Sequence, residues 1–401
     1  GYIIAVDGLV VHCGESIPPA YAECEVADYG DNLIIPGFVD THAHAPQYCN
    51  RGLGMDKELL PWLETYTFPE EAKFSDPDYA RLVYGAFVHD LWRNGTTRSI
   101  LFGTIHKDST LVLMEFLQKA GLSAYVGKVN MDRNSPEFLI EETKQSLLDT
   151  KAWLDEAAQF DPLVKPIITP RFVPSCTSEL MTGLAKLAKE YNVPVQSHLS
   201  ENHGEIDWVA SLHPESSNYT DVYYEHHLMG TVPTVMAHCI HLSGVEMDRM
   251  ADTQTMVSHC PYSNVNLSSG IAPIRKLFER NIPIGLGSDI SGGHIVSMAK
   301  VLTNAIGLSK MKWAEVDQNY APLTLSEAFY MATKGGGQFF GHVGSFENGC
   351  ELDALIIDDT SLFDPNERSL EERLERWLYV GDDRHIIERY VAGRVVPSPK
   401  G

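Results

Sequence analysis

The run IIPGFVDTHAHAPQ (34–47) carries two histidines one residue apart at the end of its strand-like part. Side chains of an extended strand alternate between faces, so Asp40, His42 and His44 share one face. Two imidazoles so placed are either a coincidence in a chain with 16 histidines or two arms of a metal site. Other candidates stand near the ends of other apolar runs: His198 in VPVQSHLSE (193–201), His238 in TVMAHCIHL (234–242) and Asp289 in IPIGLGSDI (282–290). Imidazoles with one carboxylate are a ligand set for zinc or ferrous iron, and such an ion lets water act as a nucleophile near neutral pH. Glu201 follows His198 by three residues and can reach such a centre without ligating it, as a proton shuttle must. Taken singly, any of these histidines can be a hydrogen-bonded core or surface residue. The shared placement at strand ends is what sets them apart. His259, in SHCPYSN (258–264), reads as structural or supporting, and His203, His226, His227 and His241 read as loop histidines. H-E-x-x-H, the zinc-protease helix motif, is absent.

Residues 42, 198, 238 and 289 can meet only where strand ends converge. Eight strand-like runs (37–44, 96–103, 123–132, 165–173, 193–201, 234–242, 255–263 and 282–290) have amphipathic segments between most of them. Two of those segments, 113–121 and 180–192, stop on Gly121 and Asn192, both good helix terminators. Buried strands alternating with helices predict an α/β fold with a parallel sheet under helices. Eight units is the count of a TIM-like (β/α)8 barrel, whose sites lie at the C-terminal ends of the strands. A doubly wound sheet is the alternative, but no G-x-G-x-x-G or G-x-x-x-x-G-K-[ST] follows the first strand to favour it. The chain ends read differently: 2–11, 351–358 and 389–396 are strand-like, the last a hairpin about Ala392-Gly393. They predict a small β-sandwich domain built from 1–36 with 346–401, around a barrel domain at 37–345, with a helix over 369–380 attached.

With 31 basic and 54 acidic residues the net charge is −23, which repels phosphate backbones and anionic lipid, so neither nucleic acid nor a membrane is an expected partner. The seven cysteines are scattered and include no C-x-x-C pair, which fits free thiols in a reducing, cytoplasmic compartment. No basic-then-apolar leader and no apolar run of about 18 residues stands out.

The D-T-H-A-H, S-H-L-S-E, M-A-H and G-S-D stretches together resemble the amidohydrolase superfamily. LLPWLETYTFPEE (59–71), GKVNMDR (127–133), ITPRFVPSC (168–176), QSHLSEN (196–202), HCPYSNVNLSSG (259–270) and IGLGSDISGG (284–293) are similar, in order and over almost the whole chain, to segments of its guanine deaminase family. The resemblance implies that His42, His44, His198 and Asp289 ligate one divalent metal, with zinc expected and iron served by the same residues. His238 would then stabilise the attacked centre rather than ligate. Gln47, Arg171 and Phe172 would line a guanine pocket. Some superfamily members bridge two metals with a modified lysine on strand four. Here Lys165 lies at the wrong end of that strand and Lys128 reads as structural, so one metal is expected.

The implied reaction is hydrolysis of guanine to xanthine and ammonia: water attacks C2, and Glu201 moves its proton to N3 and then to the leaving amine. Asp289 is a further acceptor for that proton. Arg171 has only donors and suits a ring carbonyl such as O6, where adenine carries an amine; Gln47 both donates and accepts. Phe172, Trp62 and Tyr66 are candidates to pack on the purine face, although Trp62 and Tyr66, four apart, read equally as core. Asp40 is a candidate partner for a ligand imidazole. A homodimer is implied by the resemblance alone. The competing readings are a related deaminase or chlorohydrolase acting on another aminated heterocycle, and a scaffold without catalysis. The deaminases that use H-x-E with P-C-x-x-C are excluded, because no such cysteine pair exists.

Overall fold

A computed structural model describes residues 1–399, so the last two residues of the expected 346–401 segment lie outside the described residues. Two four-stranded parallel sheets carry the middle of the chain. One runs Phe38–His44, Thr96–Phe102, Ser123–Gly127, Val164–Pro166; the other runs Val195–Leu199, Thr234–His238, Met256–His259, Ile284–Leu286. Phe38–His44 and Thr96–Phe102 are buried along their whole length, as parallel strands covered on both faces must be. The runs at 123–132 and 165–173 each break in two. Their outer pieces, Val129–Asn130 and Thr169–Pro170, form a separate parallel pair. Pro166 and Pro170 lack the amide that a continuous ladder needs.

Backbone hydrogen bonds tie the two sheets together at both edges. Ile168 N donates to Pro194 O and Gln196 N to Ile168 O, each at 2.9 Å. At the other edge, Asp289 N donates to His42 O and His44 N to Ile290 O, each at 2.8 Å. Helices such as Lys107–Ala120 and Ser178–Tyr191 bury Leu113 and Leu117, and Leu180 and Leu184, against the sheets. They stop where the sequence predicts, on left-handed Gly121 (φ 69°) and Asn192 (φ 51°).

The two chain ends meet. Leu33–Pro36, Ala354–Ile357, Ile386–Val391 and Arg394–Val395 form one antiparallel sheet, with its last hairpin turning at Ala392 (φ 47°) and Gly393 (φ 76°). Tyr2–Val6 and Leu9–Gly14 pair as a second hairpin, held to the first sheet's lead-in by Val10 N donating to Cys350 O. Arg98, on the buried strand Thr96–Phe102, donates to Asp353 and Glu351 at 2.7 Å each and so ties the terminal sheet to the parallel one. The expected helix forms over Leu370–Val380, capped by Ser369, and its Trp377 stacks on Phe38 with ring centroids 6.1 Å apart. Among the described residues no helix is long and apolar enough to cross a membrane.

Candidate active site

The strand ends bring the predicted ligands together. His42 Nε2 lies 3.1 Å and His44 Nε2 3.6 Å from Asp289 Oδ1, while His44 Nε2 and His198 Nε2 face each other at 3.1 Å. All four residues are buried. Burial, followed by the neighbouring imidazoles, holds His44 and His198 well below the usual histidine range, so both are neutral. Burial also lowers His42. Asp289 behaves oppositely: burial pushes its carboxyl up, but the His42, His238 and His44 imidazoles outweigh that and hold it well below the usual range. Neutral imidazoles beside a carboxylate are the protonation states a dication requires.

The donor atoms fit such an ion. His198 Nδ1 is 2.6 Å from the Arg171 carbonyl, which can only accept, so the ring proton sits there and Nε2 is a bare lone pair. That lone pair points at His44 Nε2. His42 Nε2 is buried without a hydrogen-bond partner. A cation accepting the converging lone pairs satisfies groups that otherwise repel or go unpaired.

His238 occupies a different position. Its Nε2 lies 3.4 Å from Glu201 Oε2 and 3.7 Å from Asp289 Oδ2, and its Nδ1 lies 3.0 Å from Asn264 Oδ1. Burial opposes its protonation, but the Glu201 and Asp289 carboxylates and the Asn264 bond raise its pKa. A protonated imidazole has no lone pair for a metal and is suited to holding negative charge. Burial pushes Glu201 up to about 7, within reach of a proton exchanged near neutrality. Ser269 Oγ donates to its Oε1 at 3.1 Å, and Glu205 accepts from the Glu201 amide at 2.9 Å, holding this loop in place. Ser200, His238, Cys239 and Asp289 all take left-handed backbone (φ 47–71°), a strain that clusters where side chains must be aimed.

Two expectations need correction. Asp40 does not contact a ligand imidazole. Its carboxylate accepts from His42 N (3.2 Å), Ser288 N (2.9 Å) and Ser288 Oγ (2.5 Å), fixing the backbone on which His42 and Asp289 stand. Tyr66 does not line the cavity; its ring lies where a side chain on Gly54 would fall. Other readings survive. Trp62 lines the cavity while its Nε1 donates to Leu53 O at 3.0 Å. Lys128 is buried in an ion pair with Glu141 at 2.6 Å, and neither it nor Lys165 lines the cavity. His259 lines a separate, more apolar cavity, and burial lowers its pKa to about 3.

The cavity over the ligands is walled by His44, Gln47, Leu59, Trp62, Leu63, Arg171, Phe172, His198, Glu201, His238, Leu267 and Asp289. Of the predicted ligands, catalytic groups and pocket residues, all but His42, Asp40 and Tyr66 open onto it. Sequence reasoning missed three neighbours. Glu71 accepts from both Gln47 and Arg171; its only signal was its place in the TFPEE segment. Asn264, in SHCPYSN, orients His238. Cys260 lies within ligand distance of His42, His238 and Asp289, but burial raises its thiol pKa well above the usual value and Sγ donates to Ser258 O, which leaves it a poor ligand.

The amidohydrolase family profile matches residues 33–396. A guanine deaminase of Dictyostelium discoideum is 46% identical over 379 residues, covering 92% of this chain and 84% of that protein. The crystal structure of guanine deaminase from C. acetobutylicum with guanine bound in the active site superposes with a TM-score of 0.96 at 52% identity, covering 98% of this chain and 94% of that one. E. coli guanine deaminase superposes with a TM-score of 0.89 at 35% identity, covering 99% and 93%. The family implies a TIM-barrel fold and a divalent metal, in keeping with the parallel strands and the histidine–aspartate cluster described above. With a match spanning nearly the whole chain and relatives this similar end to end, the chain belongs to the guanine deaminase family of the amidohydrolases.

Proposed function

We propose that the chain hydrolyses guanine to xanthine and ammonia. The observation that carries this reading is one cavity onto which open both a buried carboxylate poised near pH 7, Glu201, and an all-donor side chain, Arg171. A divalent ion held by His42, His44, His198 and Asp289 would make a water molecule acidic enough to lose its proton near neutral pH. Glu201 takes that proton and delivers it to N3 as the C2–O bond forms; the proton left on that oxygen then passes through Asp289 or the emptied Glu201 to the departing amine as the C2–N bond breaks and the C2 carbonyl forms. His238, held protonated between Glu201 and Asp289, offsets the charge that builds at the attacked centre. Arg171 and Gln47 present N–H groups to the O6 side of the ring, where adenine would present another donor. Phe172 and Trp62 flank the ring.

The ion is zinc in this reading, supported by a nitrogen-rich ligand set with one carboxylate, and the absence of any lysine from the cavity wall among the described residues supports one ion per chain. Residues 37–345 form a closed eight-stranded barrel, supported by the hydrogen bonds at both sheet edges. A β-sandwich domain built from 1–36 with 346–401 is supported, over its described residues, by the two antiparallel units at the chain ends. The resemblance supports a homodimer, and seven unpaired thiols support the cytoplasm.

The test incubates purified protein with guanine, adenine and cytosine, following ammonia and the ultraviolet spectrum, with metal content measured alongside. Ammonia from guanine alone is expected. Protein holding about one metal per chain that releases no ammonia from guanine refutes the reading.

A further inference from the structure

Glu71 lies outside the cavity wall, yet it holds two residues of that wall. Its Oε2 accepts from Arg171 Nη1 at 2.6 Å and its Oε1 from Gln47 Nε2 at 2.8 Å. Gln47 Oε1 in turn accepts from Ser291 N at 3.1 Å. All three side chains are buried: Glu71 is 2% exposed, Gln47 2% and Arg171 3%. We propose that Glu71 is the positioning residue for substrate specificity, turning the N–H groups of Gln47 and Arg171 toward the cavity so that the site reads the 6-oxo edge of a purine. The proposal rests on the functional reading above.

The chemistry of the groups forces this orientation. A carboxylate only accepts, so the Gln47 amide must point its nitrogen at Glu71. Flipping the amide would set its carbonyl against the carboxylate and its N–H against the Ser291 N–H, losing two buried hydrogen bonds at once. With Oε1 committed to Ser291 and one Nε2 hydrogen to Glu71, the remaining Nε2 hydrogen is the donor Gln47 has left for a ligand. Arg171 commits one Nη1 hydrogen and keeps the others, with its guanidinium 5.2 Å from the Phe68 ring. The ion pair also cancels the Arg171 charge, so the cavity offers strong donors without the net positive field that would favour an anion over a neutral base. Glu71 reaches this place because the helix widens over Leu63–Thr67 before the turn Phe68–Glu71. That widening leaves Leu59, Trp62 and Leu63 on the cavity wall and carries Glu71 behind it.

A buried ion pair that served stability alone would not discriminate between ligands, and this separates the two roles. Binding of hypoxanthine, which carries O6, and of purine, which lacks it, is measured by titration calorimetry on the metal-loaded protein and its Glu71→Gln variant. Hypoxanthine should weaken by about 10²-fold, the cost of misplacing the groups that hold a ligand, while purine is unchanged. Equal weakening of both, or of neither, overturns the proposal. If Glu71→Gln does not fold, Glu71→Asp is read the same way, because the shorter carboxylate cannot span Gln47 and Arg171 together. Failure of the functional reading shows separately, as wild-type protein that releases no ammonia from guanine.

Discussion

Replacing Glu201 with glutamine keeps the shape of the side chain and removes only its capacity to hold a proton. The amide can still accept from Ser269 Oγ, which now bonds Oε1 at 3.1 Å, so the loop after His198 stays in place. Turnover should nevertheless fall by about 10³- to 10⁴-fold, the upper range for one acid–base group, because the same carboxylate serves two proton transfers. Stability should move the other way. Burial raises the Glu201 pKa from 4.5 to about 7, which corresponds to about 3 kcal/mol when the group is ionised in the folded state. The sign follows from proton binding: the folded protein holds this proton more tightly than the unfolded chain does. Stability contributed by Glu201 is therefore complete below pH 4.5 and is lost as pH rises to about 7. Glutamine has no such loss. Metal-free Glu201→Gln protein should match its parent near pH 4.5 and exceed it at pH 8 by up to about 3 kcal/mol, read from urea unfolding at both pH values. In the parent, kcat/KM should show an acid limb with its midpoint at or below about 7, since a nearby dication favours the carboxylate. A metal-loaded variant that deaminates guanine at the parent rate, or a stability gap that does not widen with pH, would refute the reasoning.

Arg171→Met should lower kcat/KM for guanine by about 10³-fold or more and leave Glu71 without its charged partner, destabilising the fold by about 3–5 kcal/mol. It should still bind metal, because His198 is oriented by the Arg171 backbone carbonyl and not by the side chain. Elemental analysis showing metal lost with the guanidinium would contradict this. Asp40→Asn cannot accept all three bonds now made to His42 N, Ser288 N and Ser288 Oγ. Metal affinity should drop by about 10–100-fold in a chelator competition, with turnover restored by excess metal. Full turnover in the presence of chelator would show that Asp40 does not support the site.

Alternation along one strand was enough to pair His42 with His44, and placement at strand ends was enough to associate them with His198, His238 and Asp289. These are properties of local geometry repeated along the chain. The role of Asp40 was not legible, because the same alternation that puts it under His42 says nothing of the Ser288 amide arriving from 248 residues away. Glu71 was hidden for a related reason: a helix of regular pitch would place it differently, and the widened turn over Leu63–Thr67 carries no clear signature in residue types. The terminal sheet was legible as strands and as the Ala392-Gly393 hairpin, whereas its attachment through Arg98 to Asp353 required knowing which strand ran beneath it.

The edge where Asp289 N meets His42 O, and His44 N meets Ile290 O, has a consequence for how the protein matures. The histidine pair emerges early in synthesis, His198 near the midpoint and Asp289 some 90 residues later still, so the predicted ligand set of a nascent chain stays incomplete through most of its translation. The affinity of a complete site therefore develops only when the last parallel strand docks beside the first. A divalent ion held by these residues would therefore resist chelation only in chains whose two halves have closed in the correct register.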